Sequence, residues 1–319
     1  MNRKDRRRQA KLGAAPSAPA PPAPSTGGGF GAGDAFAFLY GQRPAVAPPP
    51  LKPSARPPPK PSFRALSLAV KSRTVDGLRA SRSPAAVAQA VAESSAMSDR
   101  RWEELRPSIE ARKQPRFACA AGCAWCCHQQ VAVEPVEAIA IARHIGTTFS
   151  PEDKTALKRR IDALADRTRG KGNLAWARLK TPCAFLVDGK CSIYAARPLR
   201  CRAVISRDAG HCQWAMEQPD DYFGARERRN DPGPYPMEPS QIADAALTGF
   251  ALAEQEFGLP RKTLTLIAAI RILLEQPDAA ERYLAGEPVF ASAGLPEDDD
   301  SVPLARASPP GLAKQGDSA

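Results

Sequence analysis

Eight cysteines lie between Cys119 and Cys212, and none lies elsewhere in the 319 residues. They begin as Cys119-x3-Cys123-x2-Cys126-Cys127 and resume as Cys183-x7-Cys191-x9-Cys201-x10-Cys212. Thiols two and three residues apart are the pattern of soft ligands converging on a metal. A free thiol titrates near about 8.5, and a bound metal deprotonates it outright. All eight are therefore candidate ligands for zinc or iron, with an iron–sulfur cluster as a further form of the same chemistry.

Spacing limits how the first four can act together. On one continuous helix Cys119, Cys123, Cys126 and Cys127 would share an arc of about 100°. The first and last would still stand about 12 Å apart along the axis, which zinc–sulfur bonds of about 2.3 Å cannot span. Either a turn at Gly122 folds the segment into a knuckle, or the four are divided between centres or roles. Adjacent Cys126 and Cys127 are not expected to ligate one ion together: one ligates while the other serves a second ion, a cluster or packing. Cys183, Cys191 and Cys201 then supply the missing ligands from the second group.

Other polar residues near these thiols have a functional and a plainer reading. His128 follows the cysteine pair and His211 precedes Cys212. Imidazole mixes freely with thiolate at such sites, but both are expected to face solvent or support ligands rather than bind metal. His144 is expected to be an ordinary helical residue. Arg197, Arg200 and Arg202 surround Cys201 and can offset the formal charge of −2 on a four-thiolate zinc site. Their alternative is a bidentate grip on a phosphate or carboxylate, which makes Arg197 and Arg202 the candidate cofactor-binding residues. Phe185, Leu186 and Tyr194 are expected to pack around the site and restrict solvent. The phosphate-loop, HExxH and GxSxG patterns are absent, so the common nucleotide, zinc-protease and serine-hydrolase signatures are missing.

FACAAGCAWCCHQQVAVEPVEAIAIARHI followed by PCAFLVDGKCSIYAARPLRCRAV closely resembles the YkgJ-type cysteine-cluster family, also described as the CxxCxxCC zinc- or iron-chelating domain. The resemblance runs over about residues 117–215. It includes the four-cysteine group, then P-C-x-F-L, C-S-I-Y and R-P-x-x-C-R in order, with Arg197 and Arg202 at motif positions. Three residues separate Cys119 from Cys123 where the family name implies two, and Cys212 lies past the strongest part of the match. The resemblance implies cytoplasmic metal chelation in a family widespread in bacteria, with zinc and iron both proposed. One related type, flagellin lysine-N-methylase, carries a similar cluster and uses S-adenosylmethionine. The Cys119-x3-Cys123-x2-Cys126 spacing also matches the radical S-adenosylmethionine signature, with Trp125 before the third cysteine. Enzymes of that kind hang the motif on alternating strands and helices, a pattern missing from this sequence.

The elements that must position the thiols are mainly helical. AAVAQAVAESSAMSDRRWEEL reads as a helix to about Leu105, with a second after Pro107. EPVEAIAIARHI has helical apolar spacing with acids at its start. SPEDKTALKRRIDALADRTR opens with Ser150 as N-cap and Pro151 at N1. EPSQIADAALTGFALAEQEFG, Lys262–Glu275 and PDAAERYLAG give further helices, whereas residues 171–235 read as irregular, with loops and short strands. The expected architecture is a mainly α domain over residues 85–293 around a loop-rich metal site.

The flanks differ in kind. Fourteen of the 33 prolines lie in residues 1–61, a density that cannot bury enough apolar surface to offset ordering entropy. Residues 1–84 are therefore expected to be a disordered basic arm, and residues 294–319 a disordered tail. Residues 1–100 hold 16 Lys/Arg against 5 Asp/Glu, while residues 101–319 hold 29 of each. The whole net charge of +11 thus sits on the N-terminal side, where it can make weak, salt-sensitive contact with nucleic acid or an anionic surface. No secretory signal and no run of about 20 apolar residues is present. The expected location is the cytoplasm, where thiols stay reduced. The readings carried forward are a structural or carrier chelator of zinc or iron, an iron–sulfur enzyme of methyl transfer or redox chemistry, and a nucleic-acid adaptor acting through the arm.

Overall fold

Serine and proline mark where several helices start. Ser62 and Ser83 accept hydrogen bonds from the Ala65 and Ala86 amides and cap α1 (Phe63–Ala80) and α2 (Pro84–Glu110). Glu134 precedes α3 (Pro135–Thr148), and the Glu137 carboxylate accepts the Glu134 N–H at 3.1 Å. Ser150 caps α4 (Pro151–Thr168) by accepting the Asp153 N–H at 3.1 Å. Each cap satisfies an amide that the helix itself leaves open. The computed structural model describes residues 62–296 apart from Lys113 and residues 230–232. Of the arm expected over residues 1–84 and the tail expected over 294–319, residues 1–61 and 297–319 lie outside the described residues.

Beyond α4 come the short α5 (Asn173–Arg178), a hairpin of β2 (Leu186–Val187) and β3 (Lys190–Cys191), and α6 (Leu199–Ala203). Then follow α7 (Ala209–Glu217), α8 (Pro219–Arg229), α9 (Met237–Glu256), α10 (Leu266–Glu275) and α11 (Ala279–Leu284). The two-residue strands β1 (Ala132–Val133) and β4 (Leu264–Thr265) pair antiparallel, Ala132 with Thr265 and Val133 with Leu264. The mainly α expectation holds.

The core forms where α9 lies on α1, α2 on α3, and α10 across α3 and α4. Val70, Ile139, Ile145, Leu157, Ile161, Phe250 and Ile270 are buried in one cluster. Gly249 sets the α1–α9 approach, because a Cβ there would stand 2.6 Å from the Ser67 carbonyl and 2.7 Å from Val70 Cβ. Only glycine lets two helices meet at that separation.

Three carboxylates are built into this body. Glu254 Oε1 accepts from the Tyr283 hydroxyl at 3.0 Å and the Val136 amide at 3.4 Å, while its Oε2 is buried without a hydrogen-bond partner. Glu134 accepts from the Thr263 hydroxyl at 3.2 Å. Burial pushes Glu137 up to about 7, and burial with the Glu134 charge pushes Glu254 up to about 8. Burial also raises the Tyr283 hydroxyl.

Several expected boundaries move. Residues 63–80, assigned to the arm, form α1 with Ser67, Val70, Thr74 and Leu78 buried on one face. With Val75 also buried, two of the five buried residues are polar, which interrupts the apolar period. Pro107 does not end α2, which continues to Glu110; a proline near a helix C-terminus gives up one hydrogen bond while its neighbours keep theirs. The expected helix from Lys262 begins at Leu266, because Leu264 and Thr265 pair with β1 instead. Residues 171–235 hold four helices of 5 to 11 residues as well as the hairpin. Residues 294–296 belong to the body: Gly294 bridges Leu264, and Leu295 N–H donates to Thr263 O at 3.1 Å.

Candidate metal centre

Of the two arrangements open to the first four cysteines, the turn at Gly122 is present. Gly122 has φ of +88°, and the Cys123 amide closes the turn on Ala120 O at 3.1 Å. The chain then enters a single 3-10 turn, Trp125–His128, which carries Cys126 and Cys127. Positive φ at a residue without Cβ is what this reversal requires. The first four cysteines therefore lie on a bent segment, not on one helix.

The second group meets the first through backbone. Cys183 N–H donates to Cys127 O at 2.7 Å, which lays the start of the hairpin against the 3-10 turn. Asp188 and Gly189 both have positive φ, 48° and 73°, in a two-residue hairpin loop. This left-handed pair matches the strand twist and sets Cys191 opposite Leu186. The Phe185 and Ile193 amides hydrogen-bond to the sulfurs of Cys183 and Cys191, each two residues on. Amides aimed at sulfur in this way favour thiolate.

Cys201 rides on α6, which is clamped from three sides. Leu199 N–H donates to Glu137 at 2.9 Å, Arg200 reaches Asp244 on α9 at 2.6 Å, and Arg202 reaches Asp99 on α2 at 2.7 Å. Arg202 also donates to the Arg197 and Ala195 carbonyls at 3.1 and 2.9 Å. As a candidate cofactor contact, Arg202 thus has much of its guanidinium engaged in holding α6. Arg197 differs. It lies over the Tyr194 ring at 4.2 Å, its Nε is buried without a partner, and its charge acts on Cys126, Cys191 and Cys201.

Cys119 and Cys212 meet at Ser206. The Ser206 amide donates to Cys119 Sγ at 3.2 Å, its hydroxyl bonds Cys212, and the Tyr235 hydroxyl lies 3.8 Å from Cys212 Sγ. Arg207 braces the approach to Cys119 by donating to Pro115 O and Ile109 O and covering the Phe117 ring at 4.4 Å. Ser206, Arg207 and Tyr235 escaped the sequence reading because no short motif joins them to the thiols. The Asp188-Gly189 pair was a hairpin signal open to reading.

The histidines follow the plainer reading in part. His128 turns toward Trp125 O, with Nδ1 at 3.4 Å, and His144 meets the Phe149 ring edge at 6.3 Å. His211 packs among Trp214, Tyr222 and Tyr235 at 5.5–5.7 Å. Of the residues expected to pack, Phe185 is buried and Leu186 half-buried, whereas Tyr194 is 62% exposed.

All eight cysteines are free thiols; Cys119 and Cys123 are exposed and the other six half-buried. Burial pushes Cys183 up to about 11 and Cys201 well above the usual thiol range. The Cys127 hydrogen bond and burial raise Cys126 further. Among the described residues no three His, Cys, Asp or Glu donors already converge on one coordinating point. The thiols are neighbours rather than a closed cage, and binding one ion would require them to close in. Their chemistry suits that: soft donors, amides directed at sulfur, and a buried guanidinium nitrogen beside three of them.

Residues 118–219 match the family model "CxxCxxCC: Putative zinc- or iron-chelating domain". No curated protein and no solved structure matches the chain. The CxxCxxCC match takes in all eight cysteines together with Arg197, Arg202 and Ser206, and leaves α1–α2 and α9–α11 outside it. Among the described residues no helix is long and apolar enough to cross a membrane.

Proposed function

We propose that the protein is a thiolate chelator of zinc or iron whose metal organises the CxxCxxCC segment. The observation that carries this reading is the meeting of two cysteine groups, 127 and 183 being hydrogen-bonded backbone to backbone, with Arg197 charged among the sulfurs. Cys119, Cys123, Cys126, Cys127, Cys183, Cys191, Cys201 and Cys212 are the ligand set, and Arg197 offsets the negative charge of the assembled thiolates. A bound zinc or iron would supply the cross-link that ties the short elements between residues 117 and 219 together. Reduced thiols in this number fit a cytoplasmic location.

The half-buried state of most of the thiols supports a retained, structural metal, while the exposure of Cys119 and Cys123 supports exchange with a carrier's partners. Anaerobic purification followed by metal and sulfide analysis tests the reading. Stoichiometric zinc or iron without sulfide is the expected result. Iron with acid-labile sulfide would move the function to an iron–sulfur centre, and methyl-donor binding would then be measured. Well-folded protein free of metal, and unable to take it up under reductant, would overturn the reading.

A further inference from the structure

The thiols fall into two sets that meet at one point. Cys183, Cys191 and Cys201 belong together: Cys183 opens the hairpin on which Cys191 lies, and the charge of each of those two acts on Cys201. Cys119, Cys123 and Cys212 form the second set. Ser206 bonds both Cys119 and Cys212, and the Gly122 turn brings Cys123 back toward Cys119. Cys126 acts on members of both sets, Cys183, Cys191 and Cys201 on one side and Cys119 and Cys212 on the other. The 3-10 turn that carries Cys126 and Cys127 is touched by Cys183 through its backbone and packed by α7, which bears Cys212.

Ligand arithmetic then explains the adjacent pair. A closed tetrahedral thiolate site needs four sulfurs. Each set has three, and two cysteines stand between them. Neighbouring residues are poorly placed to share one ion but well placed to serve one each. Building on the chelator reading above, we propose that the chain binds two metal ions. The inner ion is held by Cys183, Cys191 and Cys201, the outer by Cys119, Cys123 and Cys212, and Cys126 and Cys127 give one thiolate to each.

The two sites are unequal. The inner set is half-buried throughout and has Arg197 beside it, whereas two of the three outer thiols, Cys119 and Cys123, are exposed. Access by a competing ligand governs exchange at thiolate sites. The outer ion leaves first and is the one open to transfer; the inner ion maintains the fold of the segment.

Native mass spectrometry of the full chain, reloaded with zinc under reductant, counts the ions directly. Two zinc ions per chain are expected, and a graded chelator should remove them in two separate steps. The double variant Cys119→Ser/Cys123→Ser should retain one ion, and Cys191→Ser/Cys201→Ser should lose the inner one. Cobalt in place of zinc gives a second readout, since the thiolate-to-cobalt absorption of the wild type should fall by about half in the outer variant. A wild-type count of one, or loss of all metal from the outer variant while its helical circular dichroism is unchanged, overturns the two-ion assignment. A count of zero in folded wild type removes the chelator reading itself. The wild-type count does not depend on any variant folding.

Discussion

At the α1–α9 crossing, Val70 and Phe250 are buried completely and Gly249 lets the two backbones touch. Around Cys119 and Cys123 the chain is exposed and bent, and its contacts are single hydrogen bonds to Ser206 and Ala120. Apolar burial at about 25 cal/mol per Å² stabilises the first region. The second has few such contacts outside Phe185, Ile193 and Leu199, which lie at its inner edge. A region of that kind relies on cross-links for its order, and eight thiols are the cross-links available.

The largest expected effect separates the two regions by removing metal. Structural zinc contributes about 10–16 kcal/mol in small domains. Chelation should therefore strip amide-exchange protection from residues 117–219 while α1, α2, α9 and α10 keep theirs, as read by hydrogen exchange with mass spectrometry. Uniform loss across the chain would mean that the body depends on the metal as well. The converse cut is Phe250→Ala, expected to cost about 3–5 kcal/mol through cavity formation. It should lower the denaturation midpoint while the metal count stays the same.

A smaller effect comes from pH, and its sign should differ between the regions. Glu137 and Glu254 are raised above the ordinary carboxylate value of 4.5, to about 7 and about 8. The folded state thus holds protons that the unfolded chain has already released. Their stabilisation is complete below about pH 4.5 and is lost as pH rises through 7 to 8. A denaturant series from pH 5 to 8 should show falling stability of the body, and Glu254→Gln should flatten part of that slope. Metal binding by thiols releases protons, so acid should weaken the cysteine segment over the range in which it strengthens the body. Smallest of all, Ser206→Ala removes one hydroxyl that bonds Cys212 and accepts from the Asp208 amide at 3.1 Å. A loss of about 0.5–1.5 kcal/mol is expected, seen as earlier release of one metal equivalent with the body's denaturation midpoint unmoved.

The two regions also differ in how far the sequence discloses them. Cys119 to Cys127 are close in the chain, so their chemistry is local and could be read from spacing. The strong helices α3, α4 and α9 showed for a similar reason, since a long apolar period repeats within one segment. Helix α1 was hidden because Ser67 and Thr74 share its buried face with Val70 and Leu78, and its cost of polar burial is met by bonds such as Thr74 Oγ1 to Val70 O at 2.8 Å. Ser206, Arg207 and Tyr235 were hidden by distance along the chain: Ser206 lies 87 residues from Cys119, Arg207 92 from Pro115 and Tyr235 23 from Cys212. The division of the thiols into two sets was legible only as an option, because it depends on which backbone atoms the hairpin finds.

The helical pair α3–α4 stands between the two cysteine groups, so Cys183 follows Cys127 by 56 positions. During synthesis at about 5–20 residues per second, Cys183 follows Cys127 out of the ribosome by roughly 3–11 s. For that interval Cys119, Cys123, Cys126 and Cys127 are a nascent four-thiol peptide without partners, open to any metal or oxidant at hand. Zinc caught then would be held by an incomplete set, without the sulfurs of the second group, and would have to change ligands when the hairpin arrives. Expression in metal-rich and metal-poor medium should accordingly differ in the fraction of chain that reaches its final ligand set, even where the finished protein binds the same ions.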